Sequence, residues 1–135
     1  MDTNVWIAAL KSRRGASHLF LSLIDEGHFE IAVSVPLVIE YEDVALRLIE
    51  GMPSLDAQDI TDVLDYVCKV AHHQQIFYLW RPYLRDPRDD MVLELAVASQ
   101  SDAIVTYNLR DFVGIDQFGL KAVTPKIFLE QVGVL

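Results

Sequence analysis

Acidic side chains recur at four separated places in this chain, each where a strand ends or a helix begins. They are Asp2 in Met1-Asp2-Thr3-Asn4-Val5, Glu40 in Val38-Ile39-Glu40-Tyr41-Glu42, the run Asp86-Pro87-Arg88-Asp89-Asp90, and Asp111 in Thr106-Tyr107-Asn108-Leu109-Arg110-Asp111-Phe112. Carboxylates that a fold brings together repel one another, so their convergence needs a compensating charge. A hard divalent cation bound through oxygen ligands supplies it. A metal-dependent active site is the first expectation.

The elements that must position these acids follow from periodicity and turn signals. Val5 to Leu10 is apolar and is followed by the polar breaker Lys11 to Gly15. Ser17 is placed to cap a helix with Leu19, Phe20, Leu23 and Ile24 at helical spacing, stopped by Gly27. Glu30 to Ser34 reads as a short buried strand, and Pro36 opens a helix that runs to about Glu50. Asp56 to Val70 is amphipathic, with Ile60, Val63, Leu64, Val67 and Val70 on one side. Ile76 to Trp80 is the next expected strand, and Asp89 or Asp90 starts a helix through Ser99. Strands over Ala103–Thr106 and Lys121–Val123 follow, and Pro125 opens a last helix. Alternating strands and helices predict a parallel sheet with helices on both faces. The ligand site of such a sheet lies beyond the carboxyl ends of its strands, where Glu40, Asp89 or Asp90, and Asp111 all fall. Asp2 should follow a strand as well, yet only Met1 precedes it. The expectation is one α/β domain over residues 1–135 whose first strand is largely missing.

Bulk properties narrow the function classes. A chain of 135 residues, 52% hydrophobic and 23% charged, fits one globular domain with a sizeable core. Its apolar runs are short and broken by charge, which predicts no membrane span, and no signal peptide is legible. A single cysteine, Cys68, excludes an internal disulfide and suits a reducing, cytoplasmic setting. The net charge of −9 disfavours a polyanionic partner, but six of the twenty acids are the site candidates Asp2, Glu40, Asp86, Asp89, Asp90 and Asp111. Without those six the chain carries −3, and the segments Lys11–Arg14 and Arg81–Arg88 can still meet phosphates.

In its ordered motifs the sequence resembles the PIN domain nucleases, and within them the bacterial toxins of toxin–antitoxin systems. The segments that carry the resemblance are Asp2-Thr3-Asn4-Val5, Glu40-Tyr41-Glu42, Asp86-Pro87-Arg88-Asp89-Asp90 before Leu93-Glu94-Leu95-Ala96, Ile104 through Phe112, and Thr124-Pro125-Lys126-Ile127-Phe128-Leu129. Each is weak alone; their order and spacing over nearly the whole chain are specific. The resemblance implies a PIN-like, Rossmann-like three-layer domain with a central parallel sheet. It also implies one or two Mg²⁺ or Mn²⁺ ions, hydrolysis of RNA phosphodiester bonds, a small antitoxin protein as partner, and a homodimer.

Residue by residue, Asp2 resembles the first family acid, with Thr3 and Asn4 expected to position it by hydrogen bonds. Glu40 resembles the second, with Glu42 as fallback. Asp89 resembles the third; Asp90 replaces it if the helix begins one residue later, and Asp86 is a turn residue or a partner for an arginine. Many relatives carry an aspartate where this chain has Asn108, two residues after Thr106. Asn108 offers only a neutral carbonyl oxygen, so Asp111 is carried as the fourth acid, brought round by a short helix from Asn108. Other readings are plainer: His72 and His73 cap a helix end, Ser17 and Ser34 lack triad partners, no phosphate-cradling loop is present, and Trp6 and Trp80 are core residues. The leading expectation is a divalent-metal-dependent endoribonuclease, the toxin of a toxin–antitoxin pair. Its rival, motivated by Asn108 and the missing strand, is a weak or inactive PIN-like module that binds RNA or protein without cutting.

Overall fold

Local capping rules account for most helix starts in the computed structural model, which describes residues 1–76 and 83–135. Asp2, in extended conformation, accepts a hydrogen bond from the Thr3 backbone N–H and opens α1 (Thr3–Lys11). Helix α1 buries Val5, Trp6 and Ala9 and packs against α2 (Ala16–Ser22). Ser17 does not cap α2; Gly15 occupies that position, and Ser17 is buried with its hydroxyl against that of Tyr107. After Gly27, in the left-handed region at φ +86°, the chain enters β1 (Ala32–Val33).

Ser34 caps α3 (Val35–Leu48) through the Leu37 N–H, and Pro36 sits in its first turn, where a missing N–H costs nothing. Leu37, Tyr41 and Ala45 recur every four residues and form its buried stripe. A capping box of Asp56 and Asp59 opens α4 (Ala57–Val70), which packs on α3 with Ile60, Leu64 and Val67 buried. His72 and His73 follow the end of α4 as expected, with the His73 ring nitrogen bonded to the Cys68 carbonyl of its last turn, and they also form β2 (His72–His73), parallel to β1. Of the strand expected over Ile76–Trp80, Ile76 is not in a strand and Phe77 to Trp80 lie outside the described residues.

Asp86 and Pro87 open α5 (Pro87–Ala98), so the helix starts before Asp89. Residues Val92 to Ala96 are buried without interruption, which places α5 within the molecule. Strand β3 (Ala103–Val105) pairs in parallel with β4 (Lys121–Val123), in register Ala103 with Lys121 through Val105 with Val123. Thr124 then caps α6 (Pro125–Gln131).

The α/β character and parallel pairing hold; a single central sheet is not seen among the described residues. Among the described residues the strands form two separate two-stranded sheets, β1–β2 and β3–β4. Only one ladder-like bond lies beside them at the N-terminus: the Asp2 N–H donates to the Val105 carbonyl at 2.8 Å. The core gathers around Trp6, which is fully buried, stacks on Tyr41 at 5.5 Å and donates its indole N–H to the Tyr41 carbonyl at 3.0 Å. That is the core role expected of it; Trp80 lies outside the described residues.

Candidate active site

Asp2 is held through both of its carboxylate oxygens. It is only 6% exposed, on the junction between the Val105 ladder bond and the first turn of α1. One carboxylate oxygen accepts from the Thr3 backbone N–H at 2.8 Å, and the other from the Thr106 hydroxyl at 2.7 Å. Thr106 is fully buried and its hydroxyl is saturated, donating to Asp2 while accepting from the Asn4 amide at 3.3 Å and the Asn108 N–H at 3.0 Å. Asn4 also accepts from the Tyr107 N–H at 3.2 Å. Thr3 therefore positions Asp2 by a hydrogen bond, through its backbone N–H, whereas Asn4 acts on Asp2 through Thr106 rather than directly. Behind this network the Tyr41 hydroxyl donates to the Met1 carbonyl. Burial pushes the Tyr41 phenol well above its usual range, and the charge of Asp2 adds to that. Burial lowers the Met1 amino group, with Asp2 opposing.

The second acid brought to this place is Asp89. It lies in the first turn of α5, half-buried. Its carboxyl is pushed up to about 7, first by desolvation and then by the negative charges of Asp2, Asp111 and Asp86, with Arg88 pulling the other way. Asp111 reaches the same field from a single 3-10 turn, Leu109–Phe112, which is anchored by buried Phe112 and begins with the Asp111 N–H on the Asn108 carbonyl at 3.0 Å. Asp111 itself is exposed, and so is Asn108.

The remaining candidates fall elsewhere. Asp90, the alternative to Asp89, is 1% exposed and turned to the backbone, accepting from the Leu84 N–H at 2.7 Å and the Tyr83 N–H at 3.2 Å. A carboxylate so employed fixes the approach to α5. Asp86 caps α5 and pairs with Arg88 at 3.2 Å; the Arg88 backbone N–H and then its guanidinium hold the carboxyl below the usual range. Glu40 is half-buried on α3, and its charge acts on Arg88, which Asp86 chiefly holds in the charged form. The charges that raise Asp89 are those of Asp2, Asp111 and Asp86. Glu42, the fallback for Glu40, is exposed.

The structure thus brings Asp2, Asp89 and Asp111 into one electrostatic field, while the charge of Glu40 acts on Arg88. Their donors are all hard oxygens, the set that Mg²⁺ or Mn²⁺ takes, and a half-buried carboxyl raised by its neighbours' charge is a site that a cation would relieve. Among the described residues, however, no three His, Cys, Asp or Glu side chains lie close enough to hold one ion. The acids share a field without closing a coordination sphere. Thr106 is the residue the sequence undersold: its hydroxyl bridges positions 104 residues apart, and no local pattern announces that.

A family model described as the PIN domain matches residues 1–110, more than half of the chain. The chain belongs to the PIN domain family. Neither a curated protein nor a solved structure gives a match. PIN domains are generally nucleases. The matched PIN segment contains Asp2, Glu40, Asp86, Asp89, Asp90 and Asn108, and it stops one residue before Asp111. No helix among the described residues of this PIN domain is long and apolar enough to cross a membrane.

Proposed function

We propose that this PIN domain is a divalent-metal-dependent endoribonuclease, with Asp2, Asp89 and Asp111 as its metal-binding and catalytic acids and Glu40 as a fourth at the rim. The observation that carries this reading is the carboxyl of Asp89, raised to about 7 in the combined field of Asp2 and Asp111. Perturbed carboxyls of this kind gather at functional sites more often than at structural ones. A bound Mg²⁺ or Mn²⁺ would supply an activated water and neutralise charge on the scissile phosphate. The chain's own part is positional. Thr106 and the Thr3 N–H fix the Asp2 carboxylate, and the Leu109–Phe112 turn presents Asp111. Arg88, exposed and charged beside the acids, is placed to meet a phosphate oxygen.

The resemblance to toxins supports a toxin role with a small antitoxin as partner, for which the acidic surface of this chain favours a basic protein. Homodimerisation and a cytoplasmic setting belong to the same reading. RNA cleavage with Mn²⁺, by wild type and by the Asp2→Asn and Asp89→Asn variants, is the test. Mn²⁺-dependent cuts that each substitution reduces by a hundredfold or more support the reading; cutting that survives both substitutions contradicts it.

A second reading, a PIN domain that binds RNA or protein without cutting, is favoured by Asn108 and by the open arrangement of the acids. It predicts that wild type retains RNA in a gel-shift experiment containing Mn²⁺ and leaves it intact.

A further inference from the structure

The basic segment Lys11–Arg14 takes part in a second cluster, opposite in sign to the acids. Arg13 and Arg14 from the connection between α1 and α2, His18 of α2 and Lys126 of α6 line one concavity of about 400 Å³, with Leu19 and Leu135 beside them. No aspartate or glutamate lines it, in a chain whose net charge is −9. Arg13, Arg14 and Lys126 are exposed, and among the described residues none of them forms an ion pair. By contrast, Arg47 pairs with Asp43 at 2.7 Å and Arg88 with Asp86 at 3.2 Å. Helix capping does not account for the cluster. A cation stabilises a helix at its C-terminus, yet Arg13 and Arg14 come before α2 and Lys126 stands in the first turn of α6. Like charges gathered without a counter-charge repel, and a polyanion relieves them.

Helix α2 joins this cluster to the acids. Buried Ser17, next to His18, bonds the Tyr107 hydroxyl. Tyr107 is fixed at its other end as well, where its N–H donates to the Asn4 side-chain carbonyl at 3.2 Å, and it follows Thr106, whose hydroxyl donates to Asp2. Its ring is 44% exposed and makes no ring contact among the described residues. A ring held at both ends with a face open to solvent suits an unpaired base, which stacks on it whatever its identity. Helix α1 sets the span: between Asp2 at its N-cap and Lys11 at its end it is about 13 Å long. The cations are therefore placed for phosphates that flank the scissile one, not for the scissile phosphate itself.

We propose, on the nuclease reading of the acids, that these residues form a substrate track: single-stranded RNA stacks one base on Tyr107 and lays flanking phosphates across Arg13, Arg14 and Lys126. An acidic peptide would suit the cations, but it has no use for an open ring one residue from Thr106. A paired strand would satisfy the cations and leave Tyr107 idle, so the track favours unpaired RNA.

The test is fluorescence anisotropy of a labelled single-stranded RNA of about twelve nucleotides, titrated with the full chain at low salt in EDTA so that nothing is cut. Arg13→Ala combined with Arg14→Ala should weaken binding about tenfold or more and reduce the slope of log Kd against log salt by about 1.4, the share of two phosphate contacts on a single strand. Lys126→Ala should reduce that slope by about 0.7. Tyr107→Ala should weaken binding about fivefold or more with the slope unchanged, while Tyr107→Phe, which keeps the ring and loses the Ser17 bond, stays within about twofold of wild type. Arg47→Ala, which removes a paired surface cation on α3, is the control and should change nothing. No RNA binding by wild type, an unchanged slope in the double variant, an equal loss in Arg47→Ala, or Tyr107→Phe as damaging as Tyr107→Ala each overturns the proposal. So does a decaglutamate peptide that binds more tightly than the RNA and loses affinity with the two arginines, which would assign the cluster to an acidic protein partner. RNA held by these residues yet left intact in Mn²⁺ upholds the track and counts against the nuclease reading alone.

Discussion

At Asp89 two demands conflict, because a half-buried carboxyl in the field of Asp2, Asp111 and Asp86 is cheapest protonated, yet a metal ligand must be ionised. The sign of the resulting pH dependence is fixed. The folded-state value, about 7, lies above the ordinary 3.8, so the folded chain keeps this proton where the unfolded chain has lost it. The contribution to stability is complete below about pH 4 and declines as pH rises through 7. Metal-free urea denaturation at several pH values should show that decline, and Asp89→Asn should flatten it while raising stability at pH 8. The same substitution should weaken Mn²⁺ binding at least tenfold, measured by calorimetry. Thr106→Val keeps the shape and removes the hydroxyl that Asp2, Asn4 and Asn108 share. Its expected cost is about 1–3 kcal/mol, with weaker Mn²⁺ binding because Asp2 loses its fixed orientation. At this scale the sequence was informative about residue type and poor about direction. Asp89 and Asp90 are adjacent and chemically identical, and what separates them is the pair of backbone donors at Tyr83 and Leu84 that claims Asp90.

Helices were legible because their signals are local. Pro36, Asp56 and Pro125 each mark a start that the structure keeps within a residue or two. Strands of two or three residues carry no such mark: His72 and His73 do sit at the end of α4, but nothing local announces their pairing with Ala32 and Val33. The C-terminus of α5 offers an independent check on helix stop chemistry. The Ser101 N–H reaches the Ala96 carbonyl and the Gln100 N–H the Val97 carbonyl, with Gln100 at φ +56°, the one non-glycine residue of the described set in the left-handed region. That is a Schellman stop with the wrong residue at its pivot. Gln100→Gly should raise stability by about 1 kcal/mol, readable as a higher urea midpoint with an unchanged slope.

Across the whole molecule, an α/β chain with parallel pairing was readable from the alternation of elements, and the PIN domain from the order of its acids. How the sheet is divided was not, since division depends on which strands find neighbours, a non-local matter. At the N-terminus the chain meets β3 through one bond, the Asp2 N–H on the Val105 carbonyl. The central claim, that Asp2, Asp89 and Asp111 form one cation site, is tested most directly by anomalous diffraction from crystals soaked in Mn²⁺. The account predicts a peak within coordination distance of the Asp2 and Asp89 carboxylates, lost in Asp89→Asn crystals. A peak elsewhere, or none at Mn²⁺ concentrations that support RNA cleavage, would contradict it.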